Sequence, residues 1–426
     1  RLSNVAPGGN IKQMFTEIKR RENMNVQEYD IMNKLAVEKY ASQRALAEQT
    51  GYSLGKVNTS LKSLKGLGYL DEDMGLTEKA KKEFDSKRPQ NAVILAAGFG
   101  MRMIPINMEV PKGIIEVRGE PLIERLIKQL HEAGIREIDI VVGFMKEQYE
   151  YLIDKYQVEL VYNGEYATKN NLFSLKKVIH KIGNTYILPC DIWCSENPFS
   201  ENELYSWYMV AEDEIKESTL RVNRKRELAA VAEADMGNRI IGISYILKED
   251  ARRLKEKVQS LCEEEHGMER FWDDALLDGD KMYVMPKVVP ALFACEINTL
   301  EELRELDSNS GQLKADVIKV IEEQFQCGNS EITNIKAIKK GMTNRSFEFT
   351  CRGKRYIARI PGEGTESMID RRQEYEVYQC LKGKGITDPV CYISRETGYK
   401  ITEFVEGSRV CDPDSPEDVK RAMRYL

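Results

Sequence analysis

Apolar residues recur at helical spacing from Val26 onward, and Gln27–Glu38, Ser42–Thr50 and Leu54–Leu67 are predicted as helices. Gly51 and Ser53 supply a turn and an N-cap between the last two. The following GYLDEDMGLTEKAKKEF predicts a short strand, an acidic turn, and a closing strand and helix. After Lys87-Arg88-Pro89 the period changes. Apolar strands now alternate with helices along Ala92–Ala96, Pro121–Ala133, Glu137–Val142, Lys146–Lys155, Glu159–Tyr162 and Tyr186–Cys190, ending in a helix over Gln312–Phe325. This alternation predicts an α/β fold, a largely parallel sheet with helices on both faces. From Ser330 the spacing shortens to EITNIKAI, NRSFEFTC and KRYIARI, three strands with tight turns. A helix over Glu366–Gly383 and two more strands ending in YKITEFVEG follow, an α+β pattern.

The changes of period divide the chain into a polar segment, 1–24, and units at 25–87, 90–326 and 327–426. At 426 residues the chain exceeds one ordinary core, which agrees with several domains. Composition is globular, 42% hydrophobic and 31% charged, with no apolar run long enough for a membrane helix, so a soluble, cytoplasmic protein is expected. A formal charge of −6 gives no global basic footprint for nucleic acid. Nine cysteines without a repeated CxxC pair, and only His131, His180 and His266, give no zinc spacing. Free thiols are expected, with Cys190 and Cys194 as packing residues. The chain opens on Arg1 without a signal pattern, and this start is expected to be a cut within a longer protein.

Candidate chemistry begins where the first α/β strand ends. Ala97-Gly98-Phe99-Gly100-Met101-Arg102 lets backbone N–H groups approach phosphates, and Arg102 can neutralise their charge; Lys112 follows Pro111. A lone Gly-x-Gly is weak. The full AAGxGxRMxPxxxxxPK is more specific, because it sets two glycines and two cations in one loop.

This string resembles the sugar-phosphate and alcohol-phosphate nucleotidyltransferases, with a Rossmann-like, GT-A-type fold, and the resemblance runs from residue 90 to about 310. It is closest to the bacterial phosphocholine cytidylyltransferases through VYNGEYATKNNLFSL (161–175), PCDIWCSENPF (189–199) and FWDDAL (271–276). The resemblance implies an enzyme that converts CTP and phosphocholine to CDP-choline and pyrophosphate. It places Leu95, Ala96, Ala97, Gly98, Phe99, Gly100, Met101, Arg102, Lys112 and Asn163 on the nucleotide. Arg102, Lys112 and Asp191 are the implied catalytic groups, and Asp191 binds Mg²⁺. Relatives commonly supply a second metal-binding Asp where this chain has Asn298, so Asn298, Glu296 or substrate oxygens complete that site. Asn170 and Asn171 are expected to fix ribose, base or substrate phosphate. A choline pocket needs aromatic faces with a nearby carboxylate, which Trp272 beside Asp273 and Asp274 offers. Tyr245, Tyr208 and Trp193 are further aromatic candidates. Transfer to 2-aminoethylphosphonate or phosphoethanolamine is the competing substrate reading.

The flanking units carry their own resemblances. KKGMTNRSFEF (339–349) resembles the nucleotide loop of choline and aminoglycoside kinases, with Asn344 in the loop. Arg359 stands at the implied α/β-phosphate cation, Glu374 at its ion-pair partner and Glu403 at the hinge. The chain reaches Leu426 without a His-x-Asp catalytic loop. Continuation into a full kinase lobe is expected, giving a bifunctional protein that would also use ATP and choline. Residues 25–87 resemble bacterial winged-helix domains. Lys56, Lys62 and Lys65 on the recognition helix suit phosphate contacts, whereas the acidic wing Asp71-Glu72-Asp73 opposes DNA. Docking or homo-oligomerisation is the alternative role, as is a regulator that senses choline metabolites.

Overall fold

The computed structural model describes residues 24–232, 235–338, 344–362, 365, 368–409 and 411–424. Helices Val26–Val37, Gln43–Thr50 and Leu54–Gly66 come first, then a Leu70–Leu76 bridge and a helix over Glu78–Lys87. Each start is capped. The Asn25 side chain accepts from Glu28 N at 3.1 Å while Glu28 accepts from Asn25 N at 2.7 Å, and Ser42, Ser53 and Thr77 cap the others. Gly51, at φ +68°, closes the second helix. Ile31, Met32, Val57, Leu61 and Leu64 form the core of this unit, joined by Leu204 of the next one.

The α/β unit is built on a seven-stranded sheet. Its strands are β1 (Asn91–Ala96), β2 (Glu137–Val142), β3 (Glu159–Tyr162), β4 (Thr185–Pro189), β5 (Trp207–Ile215), β6 (Gly237–Ile246) and β7 (Met285–Val289), in the order β7-β5-β6-β4-β1-β2-β3. β1 is buried along its whole length, as a central strand covered on both faces must be. The expectation of a largely parallel sheet holds for β4-β1-β2-β3 and for β5 with β7. β6 departs from it, running antiparallel to both neighbours. In the helix over Leu122–Glu132, Leu122, Ile123, Leu126, Ile127 and Leu130 form one apolar stripe and are all buried.

The C-terminal unit is a five-stranded antiparallel sheet: β8 (Ile332–Ile338), β9 (Asn344–Cys351), β10 (Lys354–Pro361), β11 (Val390–Ile393) and β12 (Lys400–Glu403), in the order β8-β9-β10-β12-β11. The first of its two α-helices among the described residues, Arg371–Leu381, begins later than the predicted Glu366, because Asp370 caps it by accepting from Arg372 and Gln373 N–H groups; the second spans Pro416–Met423. This unit shares its core with the preceding one: Phe347, Phe349, Ile360 and Ile401 cluster with Met103, Ile104, Leu122 and Ile318.

Candidate active site

Parallel pairing of β1 with β4 sets Leu95 beside Pro189, so the chain leaves both strands at one sheet edge, where α/β folds bind ligands. The loop from Ala97 and the residue Asp191 therefore meet. Strand Ala294–Glu296 pairs antiparallel with Ile192–Cys194, and Ile297 N donates to Asp191 O at 3.0 Å, which brings Asn298 to the same place.

The loop's shape has identifiable causes. Gly100 is left-handed at φ +66°, and a Cβ there would lie 2.8 Å from Lys112 Cγ and Cε. Buried Asn107 donates to Phe99 O at 2.7 Å and Gly100 O at 2.9 Å, tying down the loop's carbonyls. Lys112 Nζ donates to Asp191 Oδ2 at 2.8 Å and Asn298 Oδ1 at 2.7 Å, and Arg102 Nη2 donates to the same amide oxygen at 2.9 Å. Burial opposes the charge on Lys112, but the Asp191 carboxylate more than offsets it and holds the ammonium above its ordinary range. Glu296, at the solvent-open mouth, is pushed upward by the surrounding protein and then by the charge of Asp191.

The donor set around Lys112 Nζ, a carboxylate and an amide oxygen with Glu296 nearby, consists of hard oxygen ligands holding a cation. It suits Mg²⁺, which takes one or two carboxylates and completes its shell from water and phosphate. Among the described residues no group of three His, Cys, Asp or Glu side chains could hold a metal, so substrate oxygens would be needed.

A second cluster adjoins the first. The Tyr208 and Trp272 rings lie 5.9 Å apart, and the buried Tyr208 hydroxyl donates to Asp273 Oδ2 at 3.2 Å. Burial, then the charges of Asp273, Glu296 and Asp274, hold that hydroxyl far above its usual range, which puts it within electrostatic reach of all three carboxylates. Burial also lifts Asp273 itself to about 6. Asn170 and Asn171 brace this cluster: Asn170 caps the helix Asn171–Val178 and donates to Glu269 O at 3.1 Å, and Asn171 Oδ1 accepts from Trp272 N at 2.8 Å.

Residues 92–204 match the family of MobA-like NTP transferase domains. The choline-phosphate cytidylyltransferase of Streptococcus pneumoniae is 30% identical over 51% of this chain and 96% of its own length. A 2-aminoethylphosphonate cytidylyltransferase from Lancefieldella rimae is 33% identical over 44% of this chain and 78% of its own. The chain belongs to the cytidylyltransferase family. A solved structure of CTP:phosphocholine cytidylyltransferase from Streptococcus pneumoniae, 29% identical, aligns with a TM-score of 0.48 over 52% of this chain and 98% of that one. The two sequence relatives make the α/β unit a cytidylyltransferase domain, and the chain an enzyme.

Within it, the predicted site residues form two groups, with others standing apart. Gly98, Phe99, Gly100, Arg102, Lys112, Asp191 and Asn298 come together at the strand ends, continuing from Leu95, Ala96 and Ala97, with Met101 opening a short 3-10 turn. Trp272 and Asp273 come together with Tyr208, although Trp272 is only 3% exposed and packs as the inner wall of the cluster. Tyr245 and Asn163 do not join either group. Tyr245 is fully buried on β6, packed against Tyr186 and donating to Lys87 O, because alternation along the strand turns it into the core. Asn163 is equally buried; its amide is used by Ser174 Oγ at 3.0 Å and Glu165 N at 3.1 Å. Trp193 is held between Arg118 and Arg125. Cys190 and Cys194 are free thiols pushed upward by burial, in keeping with packing roles.

Asn107 escaped the sequence reading, since an Asn in a loop carries no sign of which carbonyls it will hold. In the C-terminal sheet, Arg359 Nη1 donates to Glu374 Oε1 at 2.6 Å, and Arg371 Nη1 donates to Glu374 Oε2 at 2.9 Å. Asn344 opens β9, and Glu403 ends β12 with an exposed side chain. Residues 339–343 of the expected kinase loop lie outside the described residues.

Proposed function

We propose that the cytidylyltransferase domain transfers CMP from CTP to phosphocholine, forming CDP-choline and pyrophosphate. The observation that carries the substrate is the Tyr208–Trp272–Asp273 cluster. A quaternary ammonium donates no hydrogen bonds and is recognised by aromatic faces and nearby negative charge. An acceptor phosphate oxygen attacks the α-phosphorus; the new P–O bond forms as the α–β bridging bond breaks, and pyrophosphate leaves with the electron pair. Arg102 and Lys112 stand where charge accumulates on the phosphates, and no protein nucleophile is needed. Asp191, with Glu296 and the Asn298 amide oxygen, would hold Mg²⁺, which supplies further positive charge when bound.

Transfer to 2-aminoethylphosphonate is the second reading, favoured by the adjoining carboxylates Asp273 and Asp274, which suit a primary ammonium, and by the Lancefieldella rimae relative. Pyrophosphate release, with each NTP crossed against phosphocholine, phosphoethanolamine and aminoethylphosphonate in Mg²⁺, separates the two. Release with CTP and phosphocholine above all other pairs is expected. No release with CTP and any acceptor would defeat both.

The C-terminal unit is read as the ATP-binding lobe of a choline kinase, supported by its five-stranded sheet, the helix Arg371–Leu381 and the Arg359–Glu374 pair. The N-terminal unit is read as a winged helix that docks. Asp30 accepts from both Tyr52 and Tyr205, the latter at 2.6 Å from the cytidylyltransferase domain. Lys65 on its third helix is spent on the wing, donating to Glu72 O at 2.7 Å.

A further inference from the structure

A cation of the C-terminal sheet stands on the phosphate loop of the cytidylyltransferase domain. Arg345, the second residue of β9, places its guanidinium 4.6 Å from the Phe99 ring centroid and 5.4 Å from that of Phe144, with the two rings 4.4 Å apart. Phe99 is the one bulky side chain between Gly98 and Gly100. Its carbonyl is held by Asn107 and its ring by Phe144 and Arg345, so the residue is fixed at both ends. Strand alternation explains the reach of Arg345. It shares a face of β9 with Phe347, Phe349 and Cys351, and those three are buried in the core that joins the two units. That core fixes the strand, and the strand delivers the guanidinium.

We infer that Arg345 is a positioning residue of the nucleotide site: through Phe99 it holds the glycine loop in the shape that receives the triphosphate. The C-terminal sheet is then a working part of the cytidylyltransferase site and not a passive neighbour. This rests on the reading of the loop as the CTP site. A glycine-flanked loop left free must be ordered when nucleotide binds, and ordering it beforehand lowers that cost. A cation over an aromatic ring is worth about a two- to thirtyfold change in affinity.

The test is a double-mutant cycle on the full chain, with CTP affinity by isothermal titration calorimetry and pyrophosphate release in parallel. Arg345→Ala is expected to weaken CTP binding by about two- to thirtyfold. Arg345→Lys, which keeps the charge but not the planar group, should recover part of the loss. In a Phe99→Ala background, Arg345→Ala should cost almost nothing more, a coupling that a merely structural arginine would not show. Arg345→Gln, which keeps length and polarity, stands in if the alanine variant melts early. CTP affinity unchanged in Arg345→Ala and Arg345→Gln, or fully additive losses in the cycle, would overturn the inference. CTP binding without pyrophosphate release would defeat the proposed reaction while leaving the cycle to decide Arg345. No CTP binding by the unaltered chain would overturn both.

Discussion

Lys112 Nζ lies 2.8 Å from Asp191 Oδ2, and both side chains are only 12% exposed. The pair joins a cation from the loop after β1 to a carboxylate from the end of β4, the place where the proposed reaction puts the phosphates. Lys112→Met, which keeps the length and removes the charge, should lower turnover by about two to three orders of magnitude. Asp191→Asn should act comparably. Steady-state pyrophosphate release checks both, and near-native turnover in either variant would remove that residue from the reaction.

If the Tyr208–Trp272–Asp273 cluster receives the substrate ammonium as proposed, Asp273 sets its pH dependence. With its folded value lifted to about 6, the carboxyl loses its charge as pH falls through 6, so KM for phosphocholine should rise there. Asp273→Asn should raise KM at neutral pH and flatten the part of the profile due to the protein, leaving that of the substrate phosphate. Stability runs the other way. A carboxyl raised above its unfolded value, about 4, keeps its proton longer when folded. Its burial therefore begins to cost stability as pH rises past about 4, and the full cost is reached above about 6. Asp273→Asn should accordingly raise the melting temperature at pH 8 and leave it unchanged at pH 4. A lower melting temperature at pH 8 would show that the charge is satisfied by the fold.

The two loop glycines are not equivalent. A Cβ at Gly100 would strike the Lys112 side chain at 2.8 Å and force a left-handed non-glycine residue, whereas one at Gly98 meets nothing within 4 Å. Gly100→Ala should displace Lys112 and depress kcat, with a stability cost of about 1 kcal/mol. Gly98→Ala should melt like the parent chain and, on the proposed reading of the loop as the CTP site, show its effect in the KM for CTP. Equal effects on kcat would contradict the steric distinction.

Much of this was legible in the chain, for physical reasons. β2 and β3 have the predicted bounds because short apolar runs between polar breaks can form little else. The loop and lysine were legible because their spacing is local. Register was not: nothing in Tyr245 distinguishes a core tyrosine from a pocket tyrosine until β6 pairs with β4 and turns it inward. Asn163, Asn170 and Asn171 likewise became braces only once their helix and the segment before Trp272 met. Arg345 was illegible altogether, since its partner Phe99 lies in another unit. The antiparallel course of β6 follows from its connection to β5, which pairing decides and periodicity does not.

Glu374 is gripped from two sides, by Arg359 at 2.6 Å and Arg371 at 2.9 Å, with all three side chains largely buried. Burial alone would raise its carboxyl, but the bonds to Arg359 and Arg371 win and hold it below the usual range. The Nε of each arginine has no hydrogen-bond partner among the described residues, and the remaining bonds, Arg359 Nη2 to Gly398 O at 3.4 Å and Arg371 Nη2 to Thr365 Oγ1 at 3.0 Å, go to neutral oxygens. Glu374→Gln leaves two buried cations without a counter-charge and should destabilise the C-terminal unit by about 2–4 kcal/mol. The loss should appear as faster hydrogen exchange in β10 and in the helix Arg371–Leu381. A depressed carboxyl contributes stability above its unfolded pKa, about 4.3, and gives it up as pH falls through the lower folded value. The gap between parent and variant should therefore be widest near neutrality and close in acid. Equal exchange in the two proteins at pH 7 would reduce the triad to a surface ion pair.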